Sequence, residues 1–92
     1  MILCFNNMSA WFVYIVRCRD KSLYTGISND LPGRIKKHNA GAGAKYTRAR
    51  RPVKLVWSKK MKTPTAARKL EAKIKSWRKA QKETFVKQEH GK

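Results

Sequence analysis

Residues Trp11 to Ser28, reading WFVYIVRC, RDK and SLYTGIS in turn, constrain the fold more than any other part of the chain. Trp11 to Cys18 is aromatic and β-branched nearly throughout, which predicts a strand with apolar side chains on both faces. Arg19-Asp20-Lys21 is a polar turn, and Ser22 to Ser28 returns as a second strand, making a hairpin. Two registers are open. A three-residue loop pairs Cys18 with Ser22, Val16 with Tyr24 and Tyr14 with Gly26, so both tyrosines share one face as diagonal neighbours roughly 7–8 Å apart. A two-residue loop shifts the pairing by one and sends the tyrosines to opposite faces. The first is preferred, because a glycine opposite Tyr14 leaves open space beside its ring, as a substrate backbone would need.

The hairpin leads into a helix. Asp30 fits an N-cap and Pro32 the first turn, and Leu31 and Ile35 supply an apolar stripe. At 100° per residue, Arg34 and His38 border that stripe, while Lys36 and Lys37 point outward. Gly41-Ala42-Gly43-Ala44 ends the helix and begins a flexible loop. Lys45-Tyr46-Thr47-Arg48-Ala49-Arg50-Arg51 then interleaves an aromatic with four basic residues. Pro52 opens a third strand, Val53 to Ser58, and Lys59 to Lys62 bridges it to the next element. Thr63-Pro64 is an N-cap with proline at the first helical position. That helix runs to about Lys79 on Ala66, Leu70, Ile74 and Trp77, and a further short helix reaches Val86 before the chain frays. The expected class is α+β, a small three-stranded antiparallel sheet flanked by helices in the order ββαβα(α).

Ninety-two residues make one domain with a thin core. Residues 1–8 read as a disordered leader, since Met8 would also make a natural start. Residues 9–85 form the domain and 86–92 a polar tail. Cys4 and Cys18 have no metal-ligand spacing, and Cys18 reads as a buried reduced thiol. With no signal segment or membrane-spanning run, a cytoplasmic protein is expected. The charge narrows the partners. Twenty-three Lys and Arg against 5 Asp and Glu give +18, and self-repulsion of that size calls for a polyanion. Nucleic acid leads, with an anionic membrane surface as the rival.

Only five carboxylates are available. Asp20 belongs to the turn, Asp30 caps a helix, and Glu83 and Glu89 sit near the frayed end. Glu71 alone lies well inside a strong helix. It forms an i,i+4 pair with Lys75 or contacts Arg68, or it is a ligand for a hard divalent cation completed by phosphate oxygens. Flanking positive charge disfavours an imidazolium at His38, leaving a neutral histidine able to accept a proton near pH 7. Arg34, one turn away, could hold a phosphate. Tyr14 and Tyr24 are core aromatics or proton carriers. In the second case Arg34 lowers a phenol's pKa and His38 takes its proton onward. No P-loop, dinucleotide fingerprint or nucleophile elbow is present.

Phe12-Val13-Tyr14 and Tyr24-Thr25-Gly26, followed by Arg34 with His38 and then Glu71, resemble the GIY-YIG nuclease superfamily over roughly Ser9 to Phe85. Gly43-Ala44-Lys45-Tyr46-Thr47 and Arg50-Arg51-Pro52 further resemble its small stand-alone bacterial branch. The resemblance implies hydrolysis of a phosphodiester in DNA, structure-selective or weakly sequence-specific, with one divalent cation (magnesium or manganese) and no small-molecule cofactor. Carried over by residue, Glu71 binds the metal, Tyr14 activates water, and His38 accepts its proton. Arg34 steadies the scissile phosphate, and Tyr24 positions water or phosphate. Gly26 belongs to the floor of the site, and Lys45, Tyr46, Arg48, Arg50 and Arg51 track the nucleic acid. Phe12 replaces the first signature glycine. The late phosphate-binding asparagine of many members has no counterpart after Asn39, so that contact is either absent or made by a residue such as Lys75 or Gln81. The alternative is a non-catalytic DNA- or RNA-binding module of the same fold. A monomer, not membrane-bound, is assumed.

Overall fold

The computed structural model describes residues 10–90, and the expected leader with Cys4 lies outside them. Strands β1 (Trp11–Arg17) and β2 (Leu23–Ser28) are followed by helix α1 (Leu31–Ala40) and a four-residue helix α2 (Lys45–Arg48). Strand β3 (Lys54–Met61) and helices α3 (Pro64–Lys75) and α4 (Lys79–His90) complete the chain. The sheet is antiparallel throughout in the order β2-β1-β3, an α+β arrangement as expected.

β1 is the central strand, which is why Val13, Tyr14, Ile15 and Val16 are all buried in succession. The hairpin adopts the three-residue loop. Tyr14 pairs with Gly26 and Val16 with Tyr24, and the Cys18 N–H donates to Ser22 O at 2.8 Å. Lys21, with φ 72°, takes the left-handed position that closes such a loop. Asp20 tightens it by accepting from the Ser22 N–H at 3.0 Å.

Alternation along the strands divides the core in two. Val13 and Ile15 face Ala67 and Ile74 of α3 and Val86 of α4. Tyr14, Val16 and Cys18 face the other way, packed with Val53, Tyr24 and the Leu31 and Ile35 stripe of α1. Both helix caps form as read. Asp30 Oδ1 accepts from the Gly33 N–H at 3.3 Å, and Thr63 Oγ1 accepts from the Ala66 N–H at 3.0 Å. Gly41, at φ 85°, ends α1 in the left-handed conformation.

Besides α2, which stands where a loop was expected, three elements depart from expectation. β3 extends to Met61, taking in Lys59 and Lys60, because the free edge of β1 pairs with them: Val13 with Lys59 and Phe12 with Lys60. α3 stops at Lys75, not Lys79, where the Ser76 hydroxyl caps Lys73 O at 2.6 Å. The turn frees Trp77 to meet Phe85 edge-on, with ring centroids 5.1 Å apart. α4 then continues past Val86 to His90, so residues 87–90 prolong a helix where a polar tail was expected.

Candidate active site

The tyrosine face of the sheet carries the candidate site. Tyr14 is 2% exposed and lies over Gly26, where an added Cβ would come within 2.6 Å of the phenol oxygen. The space read from the sequence as room for a substrate backbone is therefore filled by the Tyr14 ring itself. The ring is enclosed between the sheet and the Leu31 and Ile35 stripe of α1. Tyr24, on the edge strand, is half-buried.

α1 lies over this face and brings His38 to it. His38 is 1% exposed, with its Nε2 2.8 Å from the Tyr14 hydroxyl and its Nδ1 2.8 Å from Thr47 Oγ1. Both tyrosine rings meet the imidazole edge-on, at centroid distances of 5.9 Å for Tyr14 and 5.4 Å for Tyr24. Asn39, the next residue, anchors the helix end by pairing with both backbone groups of Val53, at 2.6 and 3.1 Å. Gly43 lets the following loop close over the imidazole, since a Cβ there would fall on His38 Nδ1. Arg34, one turn before His38, is exposed. The edge of α1 laid on the sheet is thus that of Leu31, Ile35 and His38, with Arg34 at its rim.

α3 reaches the site from the far side. Its apolar residues pack on the Val13 face, yet Lys75 Nζ stands 5.9 Å from the Tyr24 ring centroid. The helix therefore spans the β2 edge and presents Glu71 and Lys75 toward the tyrosines. Glu71, with a side chain 20% exposed, pairs with Lys75 at 3.3 Å, the structural partner anticipated for it.

Electrostatics distinguish the groups. Burial pushes the Tyr14 phenol far above its ordinary range, Tyr24 adds to this, Arg34 pulls the other way, and Glu71 raises it further. The Arg34 effect has the sign expected from the sequence but is outweighed by desolvation. Burial, then Arg34, holds His38 below its ordinary value, so it is neutral near pH 7. A neutral imidazole beside a protonated phenol can accept its proton but cannot leave it ionised at rest.

The segment expected as an open basic loop is partly built in. Tyr46 of α2 is exposed, stacks on Tyr24 at 5.9 Å, and carries the Arg50 guanidinium 4.0 Å above its ring. Arg50 also pairs with Asp20 at 3.0 Å and donates to Tyr46 O at 2.8 Å. Arg51 donates to Arg48 O at 2.9 Å. Lys45 and Arg48 are exposed, and their side chains make no hydrogen bond to the protein among the described residues. Thr47 and Gly43 were not picked out by sequence reading, though both lie in the stretch whose motif resemblance pointed to them.

A three-stranded sheet with a paired Tyr–His core, flanking Arg and a carboxylate on a later helix defines a class, and comparison with known proteins agrees. The GIY-YIG catalytic domain model matches residues 10–89, and the chain belongs to that family, one of nucleases acting on nucleic acid. Within it, a UPF0213 protein of Staphylococcus aureus is 47% identical over 81 residues, covering 88% of this chain and 99% of that protein. The solution structure of the UPF0213 protein BH0048 of Bacillus halodurans is 42% identical over 84% of this chain and 82% of its own, with a TM-score of 0.56. That of EF2693 from E. faecalis is 35% identical over 90% and 88%, with a TM-score of 0.61. These names state no activity. No described helix is long and apolar enough to cross a membrane.

Proposed function

We propose that this protein is a divalent-metal-dependent endonuclease that hydrolyses phosphodiester bonds in DNA, structure-selectively or with weak sequence preference. The observation that carries the reading is the 2.8 Å hydrogen bond joining Tyr14 on β1 to His38 on α1. It couples a phenol to a neutral imidazole in a site whose surface is strongly basic.

Donor chemistry decides whether a metal fits. Glu71 offers one partly exposed carboxylate, and no cluster of three potential ligands occurs among the described residues. A magnesium ion keeps several waters and commonly takes one or two carboxylates plus phosphate oxygens. Glu71 fits an ion of that kind, delivered with the substrate, once Lys75 is displaced toward phosphate. Bound there, such an ion supplies charge stabilisation for the leaving oxygen.

The chain's own residues do the rest. Water attacks phosphorus while giving its proton to the Tyr14 oxygen, and the Tyr14 proton passes in the same step to His38 Nε2. The phosphorus–oxygen bond to the leaving group breaks as the new one forms. Concerted transfer suits this site, because burial holds the Tyr14 phenol protonated. Arg34, at the rim, holds the scissile phosphate and offsets its developing charge. The same guanidinium disfavours the imidazolium at His38 and so promotes its reset. Tyr24 positions water or phosphate, and Lys45, Tyr46, Arg48 and Lys75 meet the flanking backbone.

A second reading, a nucleic-acid binder without turnover, is favoured by the Lys75–Glu71 pair, which occupies the carboxylate that a metal would need. One experiment separates the two. Purified protein is assayed with magnesium on duplex, nicked, flap and single-stranded DNA and on RNA, beside Glu71→Ala. Metal-dependent cleavage abolished in Glu71→Ala, with binding retained, is the expected result. Binding without cleavage on every substrate would establish the second reading.

A further inference from the structure

Thr47 is fully buried, sits outside the family's catalytic signature, and touches the ring nitrogen of His38 that the mechanism does not use. Its hydroxyl also lies 3.0 Å from the carbonyl of Ala44. The three contacts form a line: Tyr14 hydroxyl, imidazole, Thr47 hydroxyl, Ala44 carbonyl. A carbonyl only accepts, and each hydroxyl has one proton to give.

Two proton arrangements are conceivable along this line. In the first, Thr47 donates to Ala44 O, His38 Nδ1–H donates to Thr47 Oγ1, and the Tyr14 hydroxyl donates to an unprotonated Nε2. Every donor then has an acceptor. In the second, Thr47 donates to Nδ1, and Nε2–H donates to the Tyr14 oxygen. The Tyr14 proton is then left with no acceptor, because its hydroxyl makes no other hydrogen bond among the described residues. In the resting protein Tyr14 is 2% exposed, so until substrate and its water enter the site that proton stays unpaired, and a buried unsatisfied donor costs about 1–3 kcal/mol. The first arrangement wins. The Ala44 carbonyl already accepts the Thr47 and Arg48 backbone N–H groups, which holds it in place as the terminus of the line.

We infer that Thr47 is a positioning residue that fixes the Nδ1–H tautomer of His38, leaving Nε2 as the lone pair that takes the Tyr14 proton. The inference rests on the proposed nuclease reading for its consequence but not for its geometry. It also explains why the chain closes over the imidazole at Gly43: the short helix α2 must come close enough for its third residue to reach the ring.

The test uses the intact protein, with Thr47→Val, which keeps the shape and removes the acceptor, and Thr47→Ser, which restores it. Nitrogen-15 NMR of histidine-labelled protein reads the tautomer directly, with or without catalysis. The parent and Thr47→Ser should show a protonated Nδ1 and a pyridine-type Nε2 for His38, whereas Thr47→Val should show tautomer exchange or the reverse form. Cleavage should fall by about 10- to 100-fold in Thr47→Val, as when an outer partner of a functional histidine is lost, and return in Thr47→Ser. A parent spectrum with Nε2 protonated overturns the inference. So does an unchanged His38 signal in folded Thr47→Val. If the tautomer shifts as expected but no variant, parent included, cleaves any substrate, the positioning role stands and the nuclease reading fails.

Discussion

Tyr14 and His38 hold each other in one protonation state, each neutral because both are buried. For His38 the unfolded chain, near 6.5, takes up a proton that the folded one refuses. This contribution to stability is full above about pH 6.5 and is lost as the pH falls below it. Tyr14 works in the opposite direction. Its folded pKa stands above the ordinary 10.0, so its contribution is full below about pH 10 and declines as the solution becomes more alkaline. Urea midpoints across that range should trace a plateau with a fall on each side, and a midpoint unchanged from about pH 8 to pH 5 would exclude a buried neutral His38. Activity offers a sharper check on the same pair. Tyr14→Phe keeps the ring over Gly26 and removes only the oxygen, so DNA binding should stay within about twofold while turnover drops by about 10²–10⁴-fold. Retention of parental turnover would move the base's role to His38 or to water held at Glu71.

At the level of elements, legibility tracked how local the deciding interaction was. Caps at Asp30 and Thr63 and the loop at Arg19-Asp20-Lys21 depend on neighbours within a few residues, and their chemistry is written in the sequence. β3 could not be bounded that way: Lys59 and Lys60 resemble a linker, and only the unpaired edge of β1 makes them strand. Their charges then protect the exposed edge of the sheet. The residues of the candidate site were read as a set from their order along the chain and the family resemblance. The contacts between them were not, since the closure of Gly43 on His38 and the approach of Thr47 are tertiary. α4 is the clearest case. Glu83 seemed to belong to a fraying end, yet it grips Arg17 of β1 through two bonds of 2.8 Å each. That pairing lowers the Glu83 carboxyl below its ordinary value and tethers the helix over the Val56 side of the sheet, where Trp57 also meets Phe85 at 4.9 Å. Because both side chains are about a third exposed, solvent screening limits the gain. Glu83→Gln should cost only about 0.5–1 kcal/mol. A double-mutant cycle with Arg17→Met measures the coupling, and a value indistinguishable from zero would mean that apolar packing alone holds α4.

Across the whole molecule, each acid whose side chain is described has an internal partner, while many of the bases do not. Asp20 pairs with Arg50, Asp30 caps α1, Glu71 pairs with Lys75, and Glu83 binds Arg17. With a net charge of +18, the remaining cations repel one another, and a polyanion relieves that repulsion as it binds. Salt should therefore act in opposite directions on two properties, screening the self-repulsion of the free protein and so raising its stability while it weakens nucleic-acid binding. The basic surface also divides into residues with and without internal duties. Arg50 supports Tyr46, Asp20 and the α2 backbone, and Arg51 supports Arg48, so replacing either alters the fold as well as the charge. Lys45 and Arg48 are exposed on the same short helix and report on the ligand alone. Lys45→Gln with Arg48→Gln should leave the urea midpoint nearly unchanged and weaken binding alike on unrelated duplex sequences. If both residues meet phosphates, the slope of log affinity against log salt should become shallower by about 0.9 per contact, roughly 1.8 for the pair. An unchanged slope would place the nucleic-acid path elsewhere on the protein, and a loss confined to one sequence would mean that α2 reads bases rather than backbone.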